Sequence, residues 1–147
     1  MTAEEQAAIE AACIRLQQRY GTLADRQDPK FRDLFAPDAV ITLPGYPPFA
    51  GLAAIMQGQA DWKASGVVMH HICTNFTVDV ADADHASGLC YLMVFRAEPS
   101  SPPAGPLFAA GAVSVGEFHD SFVRRDGRWL IESRTLHWKF RGALGGG

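Results

Sequence analysis

Residues 67–97, VVMHHICTNFTVDVADADHASGLCYLMVFRA, read as two long strands with a tight turn between them. Val67 to Ala81 and His85 to Ala97 are rich in β-branched and aromatic side chains, which suit a pleated, half-buried surface, and Asp82-Ala83-Asp84 supplies the hairpin turn. The same grammar recurs downstream, where Ala110 to Arg124 and Arg128 to Phe140 flank Arg125-Asp126-Gly127. Upstream the period changes. From Ala3 to about Asp25 the apolar positions Ile9, Ala12, Cys13, Leu16, Tyr20 and Leu23 fall in steps of three and four, the stripe of an amphipathic helix. Thr2 is available as its N-cap, with Glu4 and Glu5 in the first turn to meet the helix dipole. Asp28-Pro29 starts a second, short helix with Phe31, Leu34 and Phe35 turned to the core, and a third is expected from about Gly51 to Ala64. Between these two, Ala39 to Leu43 has strand character and Pro44-Gly45-Tyr46-Pro47-Pro48 ends it in an irregular loop. Helices followed by hairpin-linked strands predict an α+β domain. Three N-terminal helices pack on a strongly bent, mostly antiparallel sheet, with a ligand-sized cavity between the layers.

At 147 residues and 48% hydrophobic content the chain makes one domain, expected over residues 1–141, with 142–147 a disordered tail. The run from Glu98 to Pro106 holds prolines at 99, 102, 103 and 106, so it is expected to be a loop between strands and a candidate lid. A net charge of −3 with scattered Lys and Arg offers no footprint for nucleic acid. No apolar run approaches the roughly 20 residues that cross a bilayer, and the acidic N-terminus lacks the form of a secretory signal, so a soluble, cytoplasmic protein is expected. Cys13, Cys73 and Cys90 have neither the number nor the spacing of a disulfide framework or zinc site, and are expected to be reduced. No metal-binding, nucleotide-binding or nucleophile-elbow motif occurs, so neither metal nor cofactor is expected. The expected partners are a small apolar or aromatic ligand and a second copy of the chain. Apolar residues at both parities of the late strands, such as Val115, Phe118, Phe122, Leu130, Ile131 and Leu136, motivate a homodimer, or a homotrimer, through the outer face of the sheet.

The residues that could carry chemistry are few. Asp25 sits at the C-terminal end of the first helix, where the dipole disfavours an anion. It is either a solvated end, paired with Arg26, or a carboxylate at a pocket mouth that orients a histidine. His70 and His71 are neighbours on a strand, so only one faces the pocket, and alternation alone does not say which. His119, Asp120, Arg134 and His137 lie on the last two strands, and half of such a set points outward. Arg134 shares its parity with Glu132, which allows either an exposed pair or a pocket role. Phe35, Leu43, Met56, Trp62, Met93, Phe95 and Phe118 are candidate apolar walls, or simply core.

The segments Tyr20-Gly21-Thr22-Leu23-Ala24-Asp25-Arg26-Gln27-Asp28 and Leu34-Phe35-Ala36-Pro37-Asp38-Ala39-Val40 resemble the opening of the SnoaL-like branch of the nuclear transport factor 2-like superfamily. His71-Ile72-Cys73-Thr74-Asn75 is similar to its histidine strand, and Asp126-Gly127-Arg128-Trp129-Leu130-Ile131 to its closing hairpin, so the resemblance runs from about residue 5 to residue 140. It implies a cone-like fold. The superfamily includes scytalone dehydratase, bile-acid 7-alpha-dehydratase, lindane dehydrochlorinase, ketosteroid isomerase and proteins that only bind. In the dehydratases and the dehydrochlorinase an Asp-His pair does the work, and Asp25 and His71 match its positions. Tyr20 and Arg134 resemble a tyrosine and a late arginine of the bile-acid enzyme, whereas Phe95 and Arg96 stand where polar contacts from the third strand would be expected. The resemblance thus implies a cofactor-independent lyase, dehydratase-like, or an isomerase acting on an apolar ring compound. In it His71 is the base, Asp25 its orienting partner, and Tyr20 or Arg134 the group that meets developing charge. The alternative is a non-catalytic ligand-binding or assembly protein of the same fold.

Overall fold

The computed structural model describes residues 1–97 and 114–141. The expected loop from Glu98 to Pro106, the start of the strand expected from Ala110, and the tail 142–147 lie outside the described residues. The order of elements is helix α1 (Ala3–Asp25), a 3-10 helix (Pro29–Leu34), strands β1 (Phe35–Thr42) and β2 (Phe49–Ala50), helix α2 (Leu52–Ser65), then β3 (Val68–Val80), β4 (His85–Ala97), β5 (Ser114–Arg125) and β6 (Arg128–Phe140). The strands form one sheet in the order β2-β1-β6-β5-β4-β3. β1 runs parallel to β6 and every other neighbouring pair is antiparallel. The helices pack on this open, curved sheet, the α+β architecture expected from the order of elements.

Local chemistry explains the boundaries. Thr2 and Glu5 close a capping box at the start of α1: the Thr2 hydroxyl accepts the Glu5 N–H at 3.1 Å, and the Glu5 carboxylate accepts the Thr2 N–H at 2.7 Å. At its end the Gln27 N–H donates to the Ala24 carbonyl and the Asp28 N–H to the Leu23 carbonyl, both at 3.0 Å. This is a Schellman turn, and it holds Gln27 at φ 51°, a conformation usually left to glycine. The second expected helix is a 3-10 turn, because Pro29 begins it and the Phe35 N–H closes it on the Arg32 carbonyl. β1 starts at Phe35, before the expected Ala39, and its pairing with β6 slips between Phe35 and Val40 around Pro37, which has no N–H for the ladder. β2 falls just after the irregular proline loop and was not anticipated. Asp126 at φ 51° and Gly127 at φ 76° make the primed turn whose twist matches the β5–β6 hairpin.

Two bulges reset which side chains face the helices. On β3, Thr74 pairs with Tyr91 and Thr77 with Leu89, so β3 carries one extra residue, at Asn75 with φ 54°. Before it the half-buried positions are Met69, His71 and Cys73; after it they are Phe76, Val78 and Val80. On β6 the pairing moves from Ser133 to Ile131 while β5 advances by one, leaving Glu132 as the extra residue. Arg134 and Glu132 therefore do not share a face: Arg134 is buried, while Glu132 lies 3.7 Å from Arg125.

Cys13, Leu16, Tyr20 and Leu23 of α1 meet Cys90, Leu92, Phe118, Phe122, Ile131 and Leu136 of the sheet in the core. Each large side chain buried there stabilises the fold by about 1.5–3 kcal/mol. The expectation that the apolar residues of β5 and β6 make an outer patch needs correcting, because Phe118, Phe122, Ile131 and Leu136 are core. The exposed large apolar side chains of the strands are Val68, Ile72, Tyr91 and Phe140. His119 and His137 point outward and stack edge to face, 4.6 Å between centroids. Among the described residues no helix is long and apolar enough to cross a membrane.

Candidate active site

The Schellman turn fixes the last helical residue, Asp25, against β3. Its carboxylate takes two hydrogen bonds from one residue: the His71 backbone N–H donates to Oδ2 at 2.8 Å, and His71 Nδ1 lies 2.5 Å from Oδ1. The close approach of α1 depends on Gly21, where a Cβ would sit 3.1 Å from the His71 Cβ. His71 and Asp25 side chains are only 8% and 11% exposed. His70, by contrast, is 74% exposed and 3.8 Å from the same carboxylate. With an ionised Asp25 accepting at Nδ1, the imidazole keeps its proton there and presents the Nε2 lone pair, the arrangement of an oriented general base.

The His71 ring lines a cavity of about 150 Å³ between α1, α2 and the sheet, together with Tyr20, Leu43, Trp62, Met69, Leu92, Val94, Phe118, Leu136 and Trp138. An apolar cavity of that size holds one benzene-sized ring. Arg96, Ser114, Tyr46 and Arg141 also line it. A smaller apolar recess of about 30 Å³ adjoins it through Tyr20, Leu43 and Trp62, and is closed by Phe31, Ile41, Phe49 and Ile55.

Tyr20 is buried between Phe31, Phe118 and His71, whose ring it meets edge to face at 6.3 Å. Burial pushes its hydroxyl up to about 12, against the pull of nearby Arg134. It is therefore a neutral hydrogen-bond donor at ordinary pH. Beneath it lies a second acid–base pair. Arg134 Nε and Nη2 each donate to Asp120 at 2.7 Å, Gln17 Nε2 donates to the same carboxylate at 3.0 Å, and both charged side chains are fully buried. The guanidinium packs against the rings of both Tyr20 and Phe118, at 4.2 and 4.3 Å from their centroids. Next to His71 on β3, Cys73 is brought down to about 7 by the hydrogen bond from Cys90, which is itself pushed up.

Of the residues picked from the sequence, Asp25, His71, Tyr20, Leu43, Trp62 and Phe118 come together around the site. Others do not. Arg134 is not among the cavity-lining residues; it is committed to Asp120 and supports Tyr20 from behind. Phe35 is core, 6.2 Å from the Tyr20 ring, and Met56 packs against the core outside both recesses. Met93 and Phe95 alternate with the lining residues Leu92, Val94 and Arg96, so they face the other side of the sheet. Reading β4 by strict alternation inward from Cys90 would have found Leu92, Val94 and Arg96. Alternation along β5 from Phe118 likewise turns Asp120 inward, but its contact with Gln17, 103 residues away, had no signal in the sequence.

A profile of the SnoaL-like domain matches residues 5–135. No curated protein sequence matches the chain. Among solved structures, a protein provisionally named scytalone dehydratase from Novosphingobium aromaticivorans is similar over 99% of both chains, at 17% identity and a TM-score of 0.79. Hexachlorocyclohexane dehydrochlorinase LinA, type 2, is similar over 99% of this chain and 95% of its own, at 15% identity and a TM-score of 0.81. A protein of unknown function from Mycobacterium tuberculosis is similar over 96% of this chain and 78% of its own, at 25% identity and a TM-score of 0.78. At 15–17% identity the first two likenesses speak for the fold, the cone of the nuclear transport factor 2-like superfamily.

Proposed function

The chain belongs to the SnoaL-like domain family, and from that membership we propose that it is a cofactor-independent lyase, dehydratase-like, or an isomerase, acting on a small apolar ring compound. The observation that carries this reading is the double hydrogen bond from His71 to Asp25 at the wall of a ring-sized cavity. His71 Nε2 takes a proton from a ring carbon beside an electron-withdrawing group. The electron pair left behind forms the new double bond as halide leaves the adjacent carbon, or as a hydroxyl there takes a proton from the His71 imidazolium and leaves as water; in an isomerisation the imidazolium returns the proton to a neighbouring carbon. Asp25 holds the imidazole in its tautomer and stabilises the imidazolium that results. The Tyr20 hydroxyl donates to an oxygen on which charge develops. The solved neighbours that carry the names scytalone dehydratase and hexachlorocyclohexane dehydrochlorinase support an elimination over other chemistries.

The exposed apolar side chains Val68, Ile72 and Tyr91 on the outer strands support self-association as a homodimer, with a homotrimer as the alternative. Light scattering tests this, with a mass of 15.9 kDa at micromolar concentration overturning it. The enzymatic reading is tested with a panel of single-ring compounds that carry a leaving group next to an acidic C–H, following the rise of conjugated product by absorbance. Turnover by the wild type that disappears in His71→Ala supports it, and equal turnover by that variant overturns it.

A further inference from the structure

We propose that the small recess beside the main cavity receives the carbonyl oxygen of a cyclic ketone, and that the side-chain amide of Gln59 is the residue that selects for it. The inference rests on the lyase reading for what happens to the ring, but its own grounds are separate. Gln59 lines the recess, and its Nε2 is buried with no hydrogen-bond partner among the described residues. Leaving such an N–H unpaired costs about 1–3 kcal/mol, and a donor kept in that state is explained by a partner that arrives from outside the chain. Two other buried atoms are also orphaned, Gln17 Oε1 and Arg134 Nη1, but both belong to side chains already tied to Asp120. Gln59 lies outside that network. The described residues that line the recess include no carboxylate and no cation, and its polar side chains are Tyr20, Gln59 and the indole of Trp62. A neutral pocket with N–H and O–H donors fits a neutral acceptor, which is what a carbonyl oxygen is.

A close helix contact brings the amide there. Ile55, Gln59 and Trp62 fall four and three residues apart on α2, so they share one face, and all three line the recess. Gly58 lets that face settle on β2: a Cβ at residue 58 would lie 2.8 Å from the Phe49 ring. The recess holds about 30 Å³, and a water molecule needs about 10–15 Å³ of such space. It therefore admits a C=O group but not a ring, which stays in the adjoining cavity of about 150 Å³. Tyr20 and Trp62 line both spaces, and the Tyr20 ring lies 6.3 Å from that of His71. Gln59 also borders a cleft of about 70 Å³ beside Asp25 and His71, which places the amide between the recess and the acid–base pair. A carbonyl in the recess puts the neighbouring ring carbon at the junction of the two spaces, toward His71. When Nε2 of His71 takes a proton from that carbon, the C–H electron pair becomes a C=C bond and the carbonyl π pair moves onto oxygen. The Gln59 N–H and the Tyr20 O–H are the donors that meet this charge.

The experiment compares cyclohexanone with methylenecyclohexane, which have nearly the same shape and differ in the acceptor oxygen, by ligand-observed NMR titration of the full chain. The quantity read is the ratio of the two dissociation constants. Gln59→Leu and Gln59→Met should each shift that ratio against the ketone by at least about fivefold, since a lost hydrogen bond of ordinary strength has that weight. The shift should come from weaker ketone binding, with the alkene bound as before or more tightly. In the same variants the urea midpoint should stay level or rise, because a buried donor without a partner is removed. Either variant alone is decisive if circular dichroism shows the other to be unfolded. A ratio that is the same in the wild type and the folded variants overturns the proposal, and so does a wild type that fails to bind cyclohexanone. An unchanged ratio with a lowered midpoint overturns it too, and marks Gln59 as structural. The two readings fail apart. A shifted ratio without turnover of any cyclic ketone sinks the lyase and leaves the carbonyl subsite. Turnover that His71→Ala abolishes, with a ratio indifferent to Gln59, does the reverse.

Discussion

Asp25 and Asp120 are both carboxylates that clasp a basic partner with both oxygens, yet they are suited to opposite tasks. Asp25 holds an imidazole through one nitrogen and a backbone N–H, leaving the other nitrogen with a lone pair at the cavity. Asp120 holds a guanidinium, which has donors only and stays charged, so that pair has no proton to exchange. The first pair stands at a wall that a ligand can reach; the second is sealed, with Gln17 filling in. What separates the pair proposed to work from the pair that holds is the second ring nitrogen and the open side, not the carboxylate.

The largest expected effect tests the first half of that contrast. His71→Ala and Asp25→Asn should each lower the turnover of a true substrate by about 10²–10⁴-fold, the usual weight of a positioned general base. The double variant should be hardly slower than either, because the two act as one unit. Steady-state rates with circular dichroism as a folding check measure this, and His70→Ala, exposed on the other face, should stay near the wild-type rate. Effects that multiply in the double variant would break the pairing.

Stability tests the second half. Asp120→Ala strands a buried guanidinium and should cost about 3–5 kcal/mol in urea denaturation, whereas replacing Asp120 and Arg134 together with apolar residues of similar volume should be far milder. Asp25→Asn should cost no more than about 1.5 kcal/mol, the worth of an ordinary hydrogen bond. Equal losses at the two aspartates would collapse the distinction.

Tyr20 joins the two pairs, with Arg134 against its face and His71 at its edge. Its folded hydroxyl is raised to about 12 from an ordinary 10, so the folded state favours the protonated form. The stability this contributes is complete below pH 10 and is lost as pH rises toward 12. Urea denaturation at pH 9 and pH 11 should show a larger drop for the wild type than for Tyr20→Phe, and equal drops would mean the hydroxyl is not protected as described. The smallest effect belongs to the cap that aims Asp25. Gln27→Gly should relieve the left-handed backbone and raise stability by up to about 1 kcal/mol, read as a higher urea midpoint; a lower midpoint would show that Gln27 contributes through its side chain instead.

Much of this was legible in the chain. The three-and-four spacing of Cys13, Leu16, Tyr20 and Leu23 defined α1, and Asp126-Gly127 defined the last hairpin, because helix stripes and primed turns are local physics. The Asp25–His71 pair was legible only through resemblance to a family, since nothing in Val68 to Phe76 says which histidine faces inward. The misplacements have different sources. Met93 and Phe95 lie on β4, which pairs with β5 without a slip, so alternation fixes their face only once one inward residue such as Cys90 is known. Arg134 faces inward but is held by Asp120, and the extra residue at Glu132, which puts the two on different faces, leaves no mark in composition.

Asn75 acts on this protein as a frameshift acts on a gene. Two of the positions after it, Phe76 and Val78, pack against the core, and the positions before it take their frame from the one inserted residue. Delete Asn75 while that anchor holds, and every earlier side chain on β3 changes sides: His70 would turn toward Asp25 and His71 toward solvent. Which histidine meets Asp25 is therefore encoded four residues away from it. A lineage could exchange one histidine for the other by a single-codon deletion, without substituting either.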